Sequence, residues 1–236
     1  MNKTIKIQNT TILMNGIALK TNRGSLGYCN VTLIEDEDNL ILFDTGHYGD
    51  RCKLVDTFQK HKIDIKKVKY VILSHLHWDH CANISLFPKA TIILSSKELD
   101  YGKKVIEGSI IDDDYPIEIL EHLINKSKYI TVENTFELSQ NLLIFESPGH
   151  TIGSISLHIK NDANPIIIAG DAVISGEEFK SGRSNIICLN SSILKIKESI
   201  DKIKKIGKII IPGHDLPFWN INGDVKYIGD FKLKFL

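Results

Sequence analysis

The stretch VILSHLHWDH, residues 71–80, sets His75, His77, Asp79 and His80 within six positions directly behind an apolar run. Imidazole and carboxylate are side chains that bind borderline and hard divalent cations. Three more such groups arrive in the same way. LLIFESPG runs into His150, PIIIAG into Asp171 and IIIPG into His214. Strand exits drawn from distant parts of a chain are where α/β folds build sites, because rigid strands fix the loops that follow them. His75 and His77, two apart, face one pocket if the chain is still extended there, while Asp79 and His80 fall where it turns toward a helix. Seven such groups are too many for one closed tetrahedral ion and suit two. A single buried histidine is more often a satisfied core residue than a ligand. Here, however, five of the nine histidines join two aspartates at strand exits, and burying them unpaired would cost several kcal/mol. His47, His61, His122 and His158 are read as ordinary; only His47, just behind the DTG turn, stays of interest.

Those positions need elements to hold them. Strand patterns fall at 11–15, 30–36, 40–44, 69–74, 90–95, 142–147, 155–159, 165–170 and 208–213. The EDEDN turn between the second and third is too short for a crossover, so the first three strands should be antiparallel. Residues 192–206 place Ile193, Ile196, Ile200 and Ile203 at steps of three and four, with Ser192 as N-cap and Gly207 as the stop. That spacing predicts an amphipathic helix covering a sheet. Residues 51–61 resemble a second helix, and 97–126 hold at least one more around the acidic IIDDDYP turn. The alternation is α/β or α+β. With 236 residues, 42% of them hydrophobic, and neither internal repeats nor a Pro-, Gly- or Ser-rich linker, residues 1–236 read as one domain. Lys plus Arg balance Asp plus Glu at 29 each, so no global field draws nucleic acid or an anionic membrane. No signal-peptide core and no run of about 18 apolar residues is present, and a soluble cytoplasmic protein is expected. Cys29, Cys52, Cys81 and Cys188 stand far apart and read as reduced packing thiols.

SHLHWDH carries the pattern H-x-H-x-D-H, and DTG at 44–46, PGHT at 148–151, GDA at 170–172 and PGHD at 212–215 accompany it. Together, and in this order, the motifs resemble the metallo-β-lactamase superfamily over nearly the whole chain. The resemblance implies an α/β fold, the four-layer αββα sandwich of two mixed β-sheets flanked by helices, with metals at one edge. It implies one ion on His75, His77 and His150 and another on Asp79, His80 and His214, with Asp171 bridging and Asp44 steadying the ligand loops by hydrogen bonds. Zinc is the first expectation for these two divalent metal ions, although iron, manganese and cobalt suit the same ligands. The implied activity is hydrolysis: a hydroxide shared by the ions attacks a carbonyl, and Asp79 or Asp171 moves the proton. SHLHWDHCANISLF and TIILSSKELDY are most similar to the branch containing N-acyl homoserine lactonases. Members of that branch commonly carry a tyrosine three residues after the bridging aspartate, where this chain has Ile174. They often carry paired glycines after the metal motif, where it has Cys81, Ala82 and Asn83.

The expected substrate is a small molecule with a neutral ester, lactone or thioester bond. A phosphodiesterase or ribonuclease of the same superfamily should show a basic exosite, and KKVK at 66–69 and KIKK at 202–205 read as solvated faces instead. A mononuclear iron sulfur dioxygenase would use His75, His150 and Asp171 and leave Asp79, His80 and His214 idle. No nucleic-acid or membrane partner is expected, and a homodimer is the default oligomer. Phe218 and Trp219 read as core rather than pocket wall, and Trp78 as packing beneath the metal loop. Residues 101–126, with Tyr101 and Tyr115, form either a lid or an outer helix.

Overall fold

The chain, seen in a computed structural model, is described over residues 4–17, 20–22, 24–25, 27–184 and 188–230. It opens with the hairpin β1 (Ile5–Ile7) and β2 (Thr10–Met14), followed by a two-stranded ribbon of β3 (Lys20–Thr21) and β4 (Gly24–Ser25). Then come β5 (Val31–Asp36), β6 (Asn39–Phe43), α1 (Arg51–Lys60), β7 (Val68–Ile72), the short α2 (Trp78–Cys81) and β8 (Thr91–Ser95). Two further helices, α3 (Ser96–Ile106) and α4 (Ile117–Lys126), precede β9 (Lys128–Val132). The second half runs β10 (Thr135–Ser139), β11 (Leu142–Glu146), β12 (Ile155–Ile159), β13 (Ile166–Gly170) and α5 (Gly176–Ser181). It continues with α6 (Ile193–Ile206), β14 (Ile209–Pro212), β15 (Phe218–Ile221) and β16 (Asp224–Tyr227).

Among the described residues the strands form two seven-stranded mixed sheets, ordered β1-β2-β5-β6-β7-β8-β9 and β10-β11-β12-β13-β14-β15-β16. β2, β5 and β6 pair antiparallel, as the short EDEDN turn requires, and β6 through β9 are parallel. In the second sheet only β13 and β14 are parallel neighbours. The layers follow from side-chain alternation along each strand. Ile41, Phe43, Ile72, Ile144, Leu157, Ile166, Ile168, Ile209 and Ile211 share one cluster between the sheets. Their neighbours Leu42 and Val71 face Leu54, Phe58, Leu99 and Leu120 from the outer helices. Ile167, Ala169 and Ile210 face Phe179, Ile196, Ile200 and Ile203 on the other side. Strands covered on both faces need apolar residues at every position, which is why IIIAG and IIIP are unbroken runs. The result is the four-layer αββα arrangement.

The segment expected to hold at least one helix holds two, separated by the acidic turn and Pro116. α6 is where the isoleucine spacing predicts it, but only Ile196, Ile200 and Ile203 are buried, while Ile193 is exposed. Ser192 stands at the N-cap position without a side-chain cap bond; its backbone N–H instead donates to the Gly149 carbonyl at 2.7 Å. Phe218 is fully buried on β15 beside Phe179, so it is core, and Trp219 packs against the inter-sheet cluster. The outermost strands β1, β9, β10 and β16 had no apolar run to announce them, since each keeps partly or largely exposed positions.

Candidate metal centre

All seven predicted residues come together at one end of the sandwich. His75, His77, Asp79 and His80 follow β7 of the first sheet, with Asp79 and His80 on α2. His150 follows β11, Asp171 follows β13, and His214 follows β14 of the second sheet. Asp171 and His214 are delivered side by side because β13 and β14 are parallel neighbours. Gly213 makes that approach possible, since a Cβ there would lie 1.9 Å from Asp171 Oδ1; Gly149, next to His150 and at φ +143°, instead packs so closely on α6 that a Cβ would meet Ile196 N at 2.3 Å.

The nitrogen and oxygen atoms are spaced as ligands are spaced. His150 Nε2 is 3.2 Å from His77 Nδ1, and the His75 ring centroid lies 4.5 Å from that of His77 and 4.9 Å from that of His150. In the neighbouring group His80 Nε2 is 3.2 Å from His214 Nε2, and His214 Nε2 is 3.5 Å from Asp79 Oδ2. Asp171 sits between the groups: Oδ1 is 3.4 Å from His80 Nε2, and Oδ2 is 3.4 Å from His150 Nε2 and 3.3 Å from His214 Nε2. A tetrahedral ion with bonds of 2.0–2.1 Å separates its ligand atoms by about 3.3–3.4 Å, and these spacings fit such a shell. The donor set fits on a second count: His75 Nε2 and Asp171 Oδ1 are buried atoms without a hydrogen-bond partner, a costly state unless a cation takes them up.

The outer nitrogens are held from behind. His80 Nδ1 donates to Asp44 Oδ2 at 2.8 Å. Asp44 also accepts from Ser74 N at 2.7 Å and Ser74 Oγ at 2.8 Å, and Ser74 Oγ lies 2.9 Å from His75 Nδ1. His214 Nδ1 donates to the Tyr28 carbonyl at 3.0 Å. Each of these bonds fixes the tautomer that points an Nε2 lone pair inward. Burial, reinforced by the neighbouring histidines, holds His75 and His77 well below the usual imidazole range, so both are neutral and able to coordinate. Burial pulls His80 and His214 down as well, but their neighbours outweigh it and raise both: Cys29 and then Asp171, Asp79 and Asp44 at His80, and Asp171 and Asp79 at His214. That pocket therefore favours positive charge.

Several residues of the site carried no motif. Asn30 donates through Nδ2 to the Pro212 and Asp215 carbonyls at 2.6 and 2.8 Å, locking the PGHD loop to the first sheet. Asn83 donates to the carbonyls of Thr45, Gly46 and His47 and so pins the DTG loop. Cys188 Sγ lies 3.9 Å from His150 Nε2, and Asp114 brings a carboxylate oxygen within 4.8 Å of a His77 ring nitrogen and of Cys188 Sγ. Tyr115 is buried with its ring edge-on to His77 at 5.1 Å; its hydroxyl donates to Glu98 Oε1 at 2.7 Å and accepts from Asn190 Nδ2 at 3.1 Å. Tyr101 donates to Asp112 at 3.0 Å. Trp78 packs near His47, with ring centroids 5.7 Å apart. These contacts join sequence positions far apart, which is why only folding reveals them. A surface cavity of about 370 Å³ lies along the acidic turn, lined by residues of 105–118 and by none of the seven.

The sequence model of the metallo-beta-lactamase superfamily matches residues 24–214, and the chain belongs to that superfamily. It is similar to an N-acyl homoserine lactonase of a Bacillus species, 26% identical over 170 residues that cover 70% of this chain and 62% of the relative. It is also similar to an N-acyl homoserine lactonase of Bacillus thuringiensis, 30% identical over 154 residues covering 62% of this chain and 56% of the relative. The match thus spans less than two thirds of either lactonase. Among solved structures, a metallo-beta-lactamase-type protein from Thermotoga maritima shares the fold with a TM-score of 0.70 at 20% identity, over 89% of this chain and 98% of that one. No helix among the described residues is long and apolar enough to cross a membrane.

Proposed function

We propose that the protein is a dinuclear metal-dependent hydrolase that opens an ester, lactone or thioester bond of a small neutral molecule. The observation that carries this is Asp171, whose two carboxylate oxygens face both histidine groups at 3.3–3.4 Å. His75, His77 and His150 would hold one divalent ion, zinc in the first place, and Asp79, His80 and His214 the other, with Asp171 shared. When bound, such a pair supplies Lewis acidity and a water acidic enough to attack at neutral pH. The chain's own residues supply orientation and proton transfer. Asp44 and the Tyr28 carbonyl hold the imidazoles in the coordinating tautomer. Asp79, the most exposed of the seven at 8%, is a carboxylate at the rim able to take a proton and return it to the leaving group.

The lactonase relatives support a carbonyl substrate, and the acidic turn supports a neutral one. Asp114 lies beside His77, and Asp112 and Asp113 adjoin it, so a phosphodiester would approach against like charge. Acyl homoserine lactones are expected to be turned over weakly. Ile174 offers no hydroxyl to the lactone carbonyl, and neither Tyr101 nor Tyr115 replaces it, since both hydroxyls are engaged by carboxylates. One missing oxyanion donor costs about 10² to 10³ in rate. The test is a metal-replete panel compared by kcat/KM: acyl homoserine lactones, simple lactones, aryl esters, a glutathione thioester and a phosphodiester, alongside metal content per chain. A leading phosphodiester, or one iron per chain, overturns the reading.

A further inference from the structure

Glu98 lies in the first turn of α3, fully buried, and no part of the proposed chemistry uses it. A buried carboxylate is costly unless donors surround it, and here four do. Oε1 accepts from the Leu76 backbone N–H at 3.0 Å and from the Tyr115 hydroxyl at 2.7 Å. Oε2 accepts from Thr151 Oγ1 at 2.8 Å and from the Gly153 backbone N–H at 3.1 Å. The positions of these donors are informative. Leu76 separates His75 from His77, Thr151 follows His150, and the Tyr115 ring stands edge-on to His77 at 5.1 Å. Gly153 passes so close to the start of α3 that a Cβ there would lie 2.4 Å from Glu98 N.

We infer that Glu98 is the positioning residue of the three-histidine group: one carboxylate bolts the loop after β7 to the loop after β11 and sets the separation of His75, His77 and His150. It touches neither Asp79, His80 nor His214; His80 is oriented by Asp44 and His214 by the Tyr28 carbonyl. Glu98 thus acts on the three-histidine group alone, whereas Asp44 holds His80 directly and reaches across to His75 through Ser74. The inference rests on the dinuclear reading above.

Glu98→Gln tests it with little change of shape. Whichever way the amide turns, its NH₂ meets a backbone N–H, of Leu76 or of Gly153, that it cannot accept. Zinc titration of the metal-free full chain against a chromogenic chelator should show two tight equivalents in the wild type. In Glu98→Gln one of the two should weaken by about 10- to 100-fold, while the other keeps its wild-type affinity. Thr151→Val, which removes a single donor from Oε2, should weaken the same step less and serves if the glutamine variant fails to fold. A purely structural role would lower Tm in the metal-free protein and leave both affinities of the folded chain unchanged; that result overturns the inference. Fewer than two equivalents in the wild type overturns the dinuclear reading instead.

Discussion

Asp44 Oδ2 lies 2.8 Å from His80 Nδ1, and the same carboxylate reaches His75 through Ser74. One buried acid thus orients two imidazoles. Asp44 has φ +59°, a left-handed conformation that asparagine also tolerates. Asp44→Asn therefore keeps the backbone while replacing one of the two acceptor oxygens that serve three donors. Metal affinity should fall by about 10- to 100-fold, read by chelator competition. An unchanged affinity would show that the carboxylate is not needed for orientation.

Asp171→Ala should lose more metal than His80→Ala. Its two oxygens face both histidine groups, so the substitution removes a ligand from each and the screening between two cations. His80→Ala removes one ligand from one group. Metal content after gel filtration decides the matter, and equal content in the two variants counts against a shared carboxylate.

Gly213→Ala should act on the centre without replacing any of the seven residues. The added methyl would lie 1.9 Å from Asp171 Oδ1, so the aspartate or the strand must move. The expected outcome is loss of at least one bound equivalent of metal with folding retained, seen by metal analysis and circular dichroism. A variant with two equivalents at wild-type affinity would mean that the packing relaxes freely.

The contrast between His214 and Glu98 explains what a reader of the sequence sees and what stays hidden. His214 is announced by IIIPG, because a strand covered on both faces must be apolar throughout and its end is then conspicuous. The same holds for Asp171 behind IIIAG, and the shorter apolar runs VIL and LLIF mark His75 and His150. Glu98 sits among polar residues at the start of an amphipathic helix, where a glutamate is the ordinary choice, and its partners are 17 to 55 residues away. Strands β9 and β16 were equally silent, since each keeps only alternate or fewer positions buried. Ile193 misled in the opposite direction: it has the helical spacing of its neighbours but lies one turn before the face that packs on the sheet.

The cysteines should react unequally. Burial pushes the Cys29 and Cys188 thiols up to about 12, with Asp114 and Asp171 adding to the effect at Cys188, and burial raises Cys81 as well. Only the thiolate attacks an alkylating reagent, so at pH 8 a thiol with a pKa near 12 is reactive in about one molecule in 10⁴. The sign is fixed: labelling of these three should accelerate about tenfold for each pH unit gained below 12. Cys52 is exposed. Iodoacetamide at pH 8 should modify Cys52 alone in the native protein and all four cysteines after unfolding. Rapid native labelling of Cys188 would contradict this.

The loops after β7 belong to one sheet, and those carrying His150, Asp171 and His214 belong to the other, so the centre straddles the seam of the sandwich. Any cation held there is a rivet between two leaves. Its affinity adds to the free energy keeping them closed, by about 2.7 kcal/mol at a hundredfold excess over Kd. A chain stripped of its ions would part first along that edge, so inactivation and susceptibility to proteases would arrive together.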